Sequence, residues 1–152
     1  MSDSQQTLII VKPDGVQRGL ATEILARFEK KGLRFAALKL LHLDRALAEQ
    51  HYAVHKGKPF YEGLVQFITS GPVIVAVLEG PSAIYATRNI MGATNPATAA
   101  PGSIRGDLAL EIGQNLIHGS DSPETARFEI DLYFRSNEIL HYQRDSDRWV
   151  AE

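Results

Sequence analysis

Among the side chains capable of chemistry, His118 is the one whose neighbours prepare it for reaction. It follows the apolar pair Leu116-Ile117 and precedes Gly119, and Ser122-Pro123 then reads as a helix start, serine as N-cap and proline at the first helical position. The imidazole is expected at the end of a short buried strand, where rigid backbone meets a turn. Taken alone, a histidine beside a glycine is more often a hydrogen-bonded structural residue than a nucleophile. The helix that follows, Pro123 to about Phe134, bears on the choice. Glu124, Arg127, Asp131 and Arg135 share a solvated stripe, whereas Glu129 groups with Ala126, Ile130 and Tyr133 on the inward side. A carboxylate there needs a partner. An imidazole N–H would serve, fixing the tautomer and freeing the other ring nitrogen for nucleophilic or acid-base work. An arginine would serve as well, and the helix alone leaves the two open.

A second group of candidates is cationic. Lys12, Arg88 and Arg105 each lie in or beside an irregular stretch, with hydroxyls on Tyr52, Thr94 and Ser120 available nearby. Guanidinium forks match phosphate oxygens, so such a set could gather a polyphosphate without a P-loop. Taken singly, each is also ordinary surface charge. The sequence contains no G-x-x-x-x-G-K-[ST], no G-x-G-x-x-G and no G-x-S-x-G. His51 and His55 have the spacing of a helical metal pair, but Tyr52 stands where H-E-x-x-H requires glutamate, and one surface histidine plus one ligand contact is the preferred reading.

The elements that must position these groups follow from periodicity. A chain of 152 residues with 44% hydrophobic content fits one domain over residues 1–152 with its own core. A formal net charge of −2 argues against a generally basic nucleic-acid surface. The absence of cysteine excludes disulfides and thiolate chemistry. No apolar run approaches a membrane span and no leader is visible, so a cytoplasmic protein is expected. Thr7–Val11 reads as a buried central strand, ending at Lys12 and a turn over Pro13-Asp14-Gly15. Leu20, Ile24, Leu25 and Phe28 mark a helix stopped by Gly32, and residues 33–43 a strand. Asp44 caps a helix carrying Leu47, His51, Tyr52, Val54 and His55, broken at Gly57, Lys58 and Pro59, and Phe60 to Ile68 marks a second. Residues 73–78 form a strand, after which Ser82 caps a helix to Met91 with Arg88 at its margin. Residues 93–113 form a long loop, and 135–152 a tail carrying Trp149. The order β-α-β, helical pair, β-α, loop, β-α predicts an α+β, ferredoxin-like sandwich, a four-stranded antiparallel sheet with helices on one face.

Several stretches coincide with one family. They are Val-Lys-Pro-Asp-Gly-Val-Gln-Arg-Gly (11–19), His-Tyr (51–52), Lys-Pro-Phe (58–60), Thr-Ser-Gly-Pro-Val (69–73), Met-Gly-Ala-Thr-Asn-Pro (91–96), Pro-Gly-Ser-Ile-Arg-Gly-Asp (101–107) and Asn-Leu-Ile-His-Gly-Ser-Asp-Ser (115–122). The chain resembles nucleoside diphosphate kinase from Thr7 to its end. The resemblance implies transfer of a γ-phosphate from a nucleoside triphosphate to a nucleoside diphosphate by a ping-pong route, with broad base tolerance. It implies that His118 is phosphorylated, Glu129 orients it and Ser120 sits beside it. Phe60 would stack on the base with Ile112 on its other side, and Lys12 and Asn115 would meet the ribose. Tyr52, His55, Arg88, Thr94 and Arg105 would gather the phosphates, with Mg2+ carried by the nucleotide rather than by a protein metal site. The family assembles as tetramers or hexamers, and the loop with Pro96 and Pro101 and the long tail favour a hexamer. Trp149 is most easily explained if buried. Tyr61, Ala93 and Phe128 depart from the family pattern without removing a catalytic group. Two rivals from other classes are an RNA-binding module on the same scaffold, for which no strand carries the basic-aromatic RNP1 pattern, and a silent scaffold, against which the retained His118, Glu129, Lys12, Arg105 and Asn115 argue.

Overall fold

The computed structural model of the chain describes residues 4–152. Strand β1 (Ser4–Val11) lies between β3 (Val73–Pro81) and β4 (Ile117–Gly119), and β2 (Arg34–Leu41) flanks β3, giving the order β2-β3-β1-β4. Every pairing is antiparallel. This is the ferredoxin-like α+β arrangement expected from the order of elements.

The run Leu8–Val11 is wholly buried, and its alternate side chains enter two different cores. Leu8 and Ile10 pack with Ala48 of α3 (Arg45–His51), Val65 and Ile68 of α4 (Tyr61–Ile68), and Ile130 and Tyr133 of α7 (Pro123–Tyr133). Ile9 and Val11 pack with Phe28 of α2 (Ala21–Lys31), Met91 of α5 (Ala83–Met91) and Ile104 of α6 (Ile104–Leu108). The helices therefore cover both faces of the sheet rather than one. A strand with a wet face alternates apolar and polar residues, whereas this unbroken apolar run demands cover on both sides.

Local chemistry departs from expectation at several points. Pro13 opens a short helix, α1 (Pro13–Gln17), instead of a turn, because its fixed φ and missing N–H suit the first helical position. The segment 93–113 contains a 3-10 turn at Pro96–Thr98 and α6, whose first N–H groups are capped by Asn95 and Ser103 side chains. Ser82 has φ of 50° and makes no cap; the Gln5 side chain accepts from Ile84 N at 2.9 Å in its place. The tail is tied down by Tyr142, whose hydroxyl donates to Phe35 O, and by Arg144, which donates to Gly32 O at 2.8 Å. Trp149, expected to be buried, is 81% exposed in the protomer. Among the described residues no helix is long and apolar enough to cross a membrane.

Candidate active site

Strand register decides where His118 points. It pairs with Ile10 of β1, and directly opposed residues of an antiparallel pair share a face. Ile10 belongs to the core beneath α3, α4 and α7, so the imidazole is delivered to that side, while Ile117 opposes Val11 in the other core. Glu129 arrives from the inward stripe of α7 and is 4% exposed. His118 Nε2 lies 3.0 and 2.9 Å from its two oxygens. An ionised carboxylate only accepts, so Nε2 carries the proton and Nδ1 keeps its lone pair. Ser120, fully buried, donates to Glu129 Oε1 at 2.6 Å. Burial works to push the Glu129 carboxyl up, but the bonds from His118 and Ser120 outweigh it and the group lies below its ordinary value.

The backbone ahead of the histidine is a γ-turn. Ile117 N donates to Asn115 O at 2.9 Å around Leu116, whose φ of 74° is unusual for a residue with a Cβ. Such a conformation costs on the order of 1–3 kcal/mol and persists only where its surroundings over-determine it. Asp14 Oδ2 accepts from Leu116 N at 3.0 Å, and Lys12 N donates to Leu116 O at 2.9 Å. Arg105, 4% exposed, donates through Nε to Asn115 O at 3.1 Å, through one terminal nitrogen to Gly92 O at 3.0 Å and through the other to Ile117 O. The two carbonyls flanking Leu116 are thus held by one guanidinium.

A cleft of about 740 Å³ opens over the pair. It is lined by His118 and Glu129 and by seven of the residues singled out as nucleotide-binding: Lys12, Tyr52, His55, Arg88, Thr94, Arg105 and Asn115. Lys12 Nζ donates to Asn115 Oδ1 at 2.8 Å, and Asn115 Nδ2 donates to Thr94 O at 3.0 Å, so these three form one chain. Burial, with Arg105 nearby, pushes the Lys12 ammonium down to about 8, against a smaller opposing pull from Asp14. Burial pushes the Tyr52 phenol up to about 12, keeping it a neutral donor. Arg88 donates to Gly119 O at 3.1 Å. A second hollow of about 830 Å³ beside Tyr85 and Ala93 shares Arg88 with the cleft but contains neither His118 nor Glu129.

Phe60 and Ile112 do not line the cleft; both side chains are more than half exposed, Phe60 edge-on to the His55 ring at 5.3 Å. Ser120 stands behind Glu129 rather than in the cleft. His51 and His55 do not share a helix face: His51 ends α3 and is buried, whereas His55 lies in the 3-10 turn Ala53–His55. Of the departures from the family pattern, Tyr61 packs at the edge of the first core, Ala93 lines the second hollow, and Phe128, 52% exposed, lines the cleft. Sequence reasoning missed Asp14, which looked like a turn residue and holds a backbone N–H 102 positions away. His51, weighed in the sequence as half of a metal pair or as a surface histidine, is instead buried at the end of α3.

Fold and site together define a ferredoxin-like α+β protein with a carboxylate-held histidine beside a cation-lined cleft. Residues 5–139 match the family model for nucleoside diphosphate kinase. The chain is 64% identical over 146 residues to a nucleoside diphosphate kinase of Thermomicrobium roseum, covering 96% of this chain and 98% of the relative. It is 55% identical over 148 residues to one of Roseiflexus castenholzii, covering 97% and 99%. Its fold superposes with a TM-score of 0.96, at 48% identity and over 99% of this chain and 100% of the other, on a halophilic nucleoside diphosphate kinase from Halobacterium salinarum in complex with CDP. The chain belongs to the nucleoside diphosphate kinase family and is an enzyme, a phosphotransferase acting on nucleotides.

Proposed function

We propose that the enzyme moves the γ-phosphoryl group of a nucleoside triphosphate to a nucleoside diphosphate through a phosphohistidine on His118 Nδ1. The observation that carries this reading is the Nε2–H bond to Glu129, which leaves Nδ1 with a lone pair on a ring that lines the cleft. Nδ1 attacks phosphorus, a bond forms between them, and the bond to the bridging oxygen breaks with its electrons leaving on the diphosphate. The proton stays on Nε2, where Glu129 offsets the charge the ring acquires. Phosphoryl transfer asks chiefly for positioning and charge stabilisation, and Lys12, Arg88 and Arg105 supply the positive field for the departing oxygens. The diphosphate leaves, a second one enters the same cleft, and the reverse path returns the group.

Mg2+ brought by the nucleotide would neutralise phosphate charge. Its ligands would be phosphate oxygens and water, because the one group of three metal-capable side chains among the described residues, His51, His118 and Glu129, offers imidazole nitrogens unsuited to so hard a cation. The CDP held by the Halobacterium relative supports acceptance of pyrimidines. Phe60, exposed, would hold any base by stacking, with Ile112 opposite. Incubation with γ-labelled ATP should give an acid-labile, base-stable phosphoprotein. A chase with GDP or CDP should release the label as the matching triphosphate. Label that no diphosphate removes would sink the ping-pong reading, and a guanine-over-adenine preference beyond about 3 kcal/mol would sink base tolerance.

The Lys12 ammonium sits low enough for its titration to show. It is charged below about pH 8 and neutral above, so KM for the diphosphate should rise several-fold between pH 7 and pH 9.5. In Lys12→Arg, whose charge persists, the same interval should leave KM level; a rise of equal size in both would remove Lys12 from binding.

Assembly as a hexamer fits the exposure of Trp149, an aromatic surface that water disfavours and a neighbouring subunit would cover. Light scattering at low micromolar concentration should give six times the mass of the chain. A fourfold mass would refute the hexamer while leaving the chemistry untouched.

A further inference from the structure

The Glu129 carboxylate is unevenly held. Oε1 receives Ser120 Oγ at 2.6 Å and His118 Nε2 at 3.0 Å, whereas Oε2 receives only His118 Nε2, at 2.9 Å. His51 Nδ1 stands 3.9 Å from Oε2. That nitrogen is buried and has no hydrogen-bond partner. The His51 ring stands edge-on to His118, with centroids 4.7 Å apart, and is boxed in by Tyr52 at 4.7 Å and Tyr133 at 5.8 Å. Packing thus holds the imidazole in the cleft wall with its orphan nitrogen beside the one carboxylate oxygen that lacks a second donor.

We propose that His51 is a positioning residue for phosphoryl transfer, its Nδ1–H closing onto Glu129 Oε2 as His118 takes up charge. This rests on the phosphohistidine reading. At 3.9 Å the contact is too long for a hydrogen bond and needs to shorten by roughly 1 Å, and hydrogen bonds of this kind tighten in the reacting complex rather than in the free enzyme. Pinned at both oxygens, the carboxylate cannot swivel when the ring on its other side becomes a phosphoimidazolium. A neutral donor is what the place requires, because a cation there would cancel the charge that His118 needs from Glu129. The groups facing His51 are His118 from β4, Glu129 and Tyr133 from α7, Tyr52 and His55 beyond α3, and Lys12 beyond β1. Burial first, and His118 second, push the His51 imidazole down to about 3, so it stays neutral at working pH.

The test compares His51→Phe, which keeps the ring and removes the donor, with His51→Asn, whose amide nitrogen replaces Nδ1. At saturating ATP, single-turnover phosphorylation of the Phe variant should slow about tenfold while KM for ATP stays within about twofold, and the Asn variant should recover most of the rate. Nitrogen-15 NMR should find His51 protonated on Nδ1 in the free parent enzyme, and the His118 Nε2–H of the phosphoenzyme should exchange with water several-fold faster in the Phe variant than in the parent or the Asn variant. Equal slowing in both variants, a His51 ring protonated on Nε2 alone, or equal exchange in all three phosphoenzymes would overturn the proposal and leave His51 a packing residue. If the parent enzyme takes no label, the phosphohistidine reading fails by itself, while the His51 tautomer still shows whether the ring can donate to Glu129.

Discussion

His118→Ala is expected to take up no label from γ-labelled ATP and to lose roughly 10^4-fold or more in turnover, since no other imidazole can take its place. His51 is buried behind it with Nδ1 turned to Glu129, and His55 stands in the 3-10 turn beside Phe60. The alanine variant also strips Glu129 of one of its two donors, leaving a buried carboxylate held by Ser120 alone, and that change by itself costs about 1–3 kcal/mol of stability. His118→Gln, whose amide nitrogen reaches the place of Nε2, separates chemistry from folding. Its amide can still donate to Glu129, so its thermal midpoint should lie nearer the parent's than the alanine variant's does, while labelling stays absent. Label on either variant would show that the phosphorylated residue lies elsewhere. Retained turnover without label would point to direct transfer between nucleotides.

Arg105→Ala should have the second largest effect, and on two properties together. The guanidinium spends all three of its nitrogens on the backbone carbonyls of Gly92, Asn115 and Ile117, in a place 4% exposed. Two of those carbonyls bracket the γ-turn at Leu116, so removing the side chain both unpairs buried acceptors, Asn115 O alone keeping a partner in Ile117 N, and releases the strained segment that delivers His118. Leaving such groups without partners costs about 1–3 kcal/mol each, and breaking a buried charged network typically about 3–5 kcal/mol in all. For a chain of this size that corresponds to a fall in thermal midpoint of about 10 °C. Phosphorylation of His118 should slow as well, because the nucleophile loses its fixed approach. Arg105→Lys, able to reach one carbonyl but unable to fork, should recover only part of either property. A variant that keeps its thermal midpoint and changes only KM would show that Arg105 is a phosphate ligand and not a clasp.

The resemblance suggested phosphate oxygens as partners of Arg105, and the fold adds three backbone carbonyls that no residue spacing announced. An arginine between Ile104 and Gly106 shows that a charge is present near irregular backbone; it does not show which carbonyls there have lost their ladder partners. That depends on where β4 starts and on the turn before it. Asp14 is the same case: its partner is Leu116 N, and no spacing within the first strand or its turn could name a donor so far along the chain.

What the sequence determined by itself was set by neighbours within a few residues. The stripe that turns Glu129 inward, the Ser122 side chain accepting from Thr125 N with Pro123 behind it, and the apolar run of β1 are all local, and the chain forms each one wherever it is placed. The joining of His118 to Glu129 was foreshadowed by that stripe, but the choice between an imidazole and an arginine as partner was not. Register made that choice: pairing His118 with Ile10 sends the imidazole toward α7, and a slip of one residue would have sent it to the opposite core. Cover on both faces of the sheet, the gathering of Lys12, Thr94 and Asn115 into one chain, and the approach of His51 to the carboxylate depend likewise on strand pairing and on packing at long range. Periodicity tells a side chain which way to face its own element; only the closed ladder and the filled core decide what it meets there.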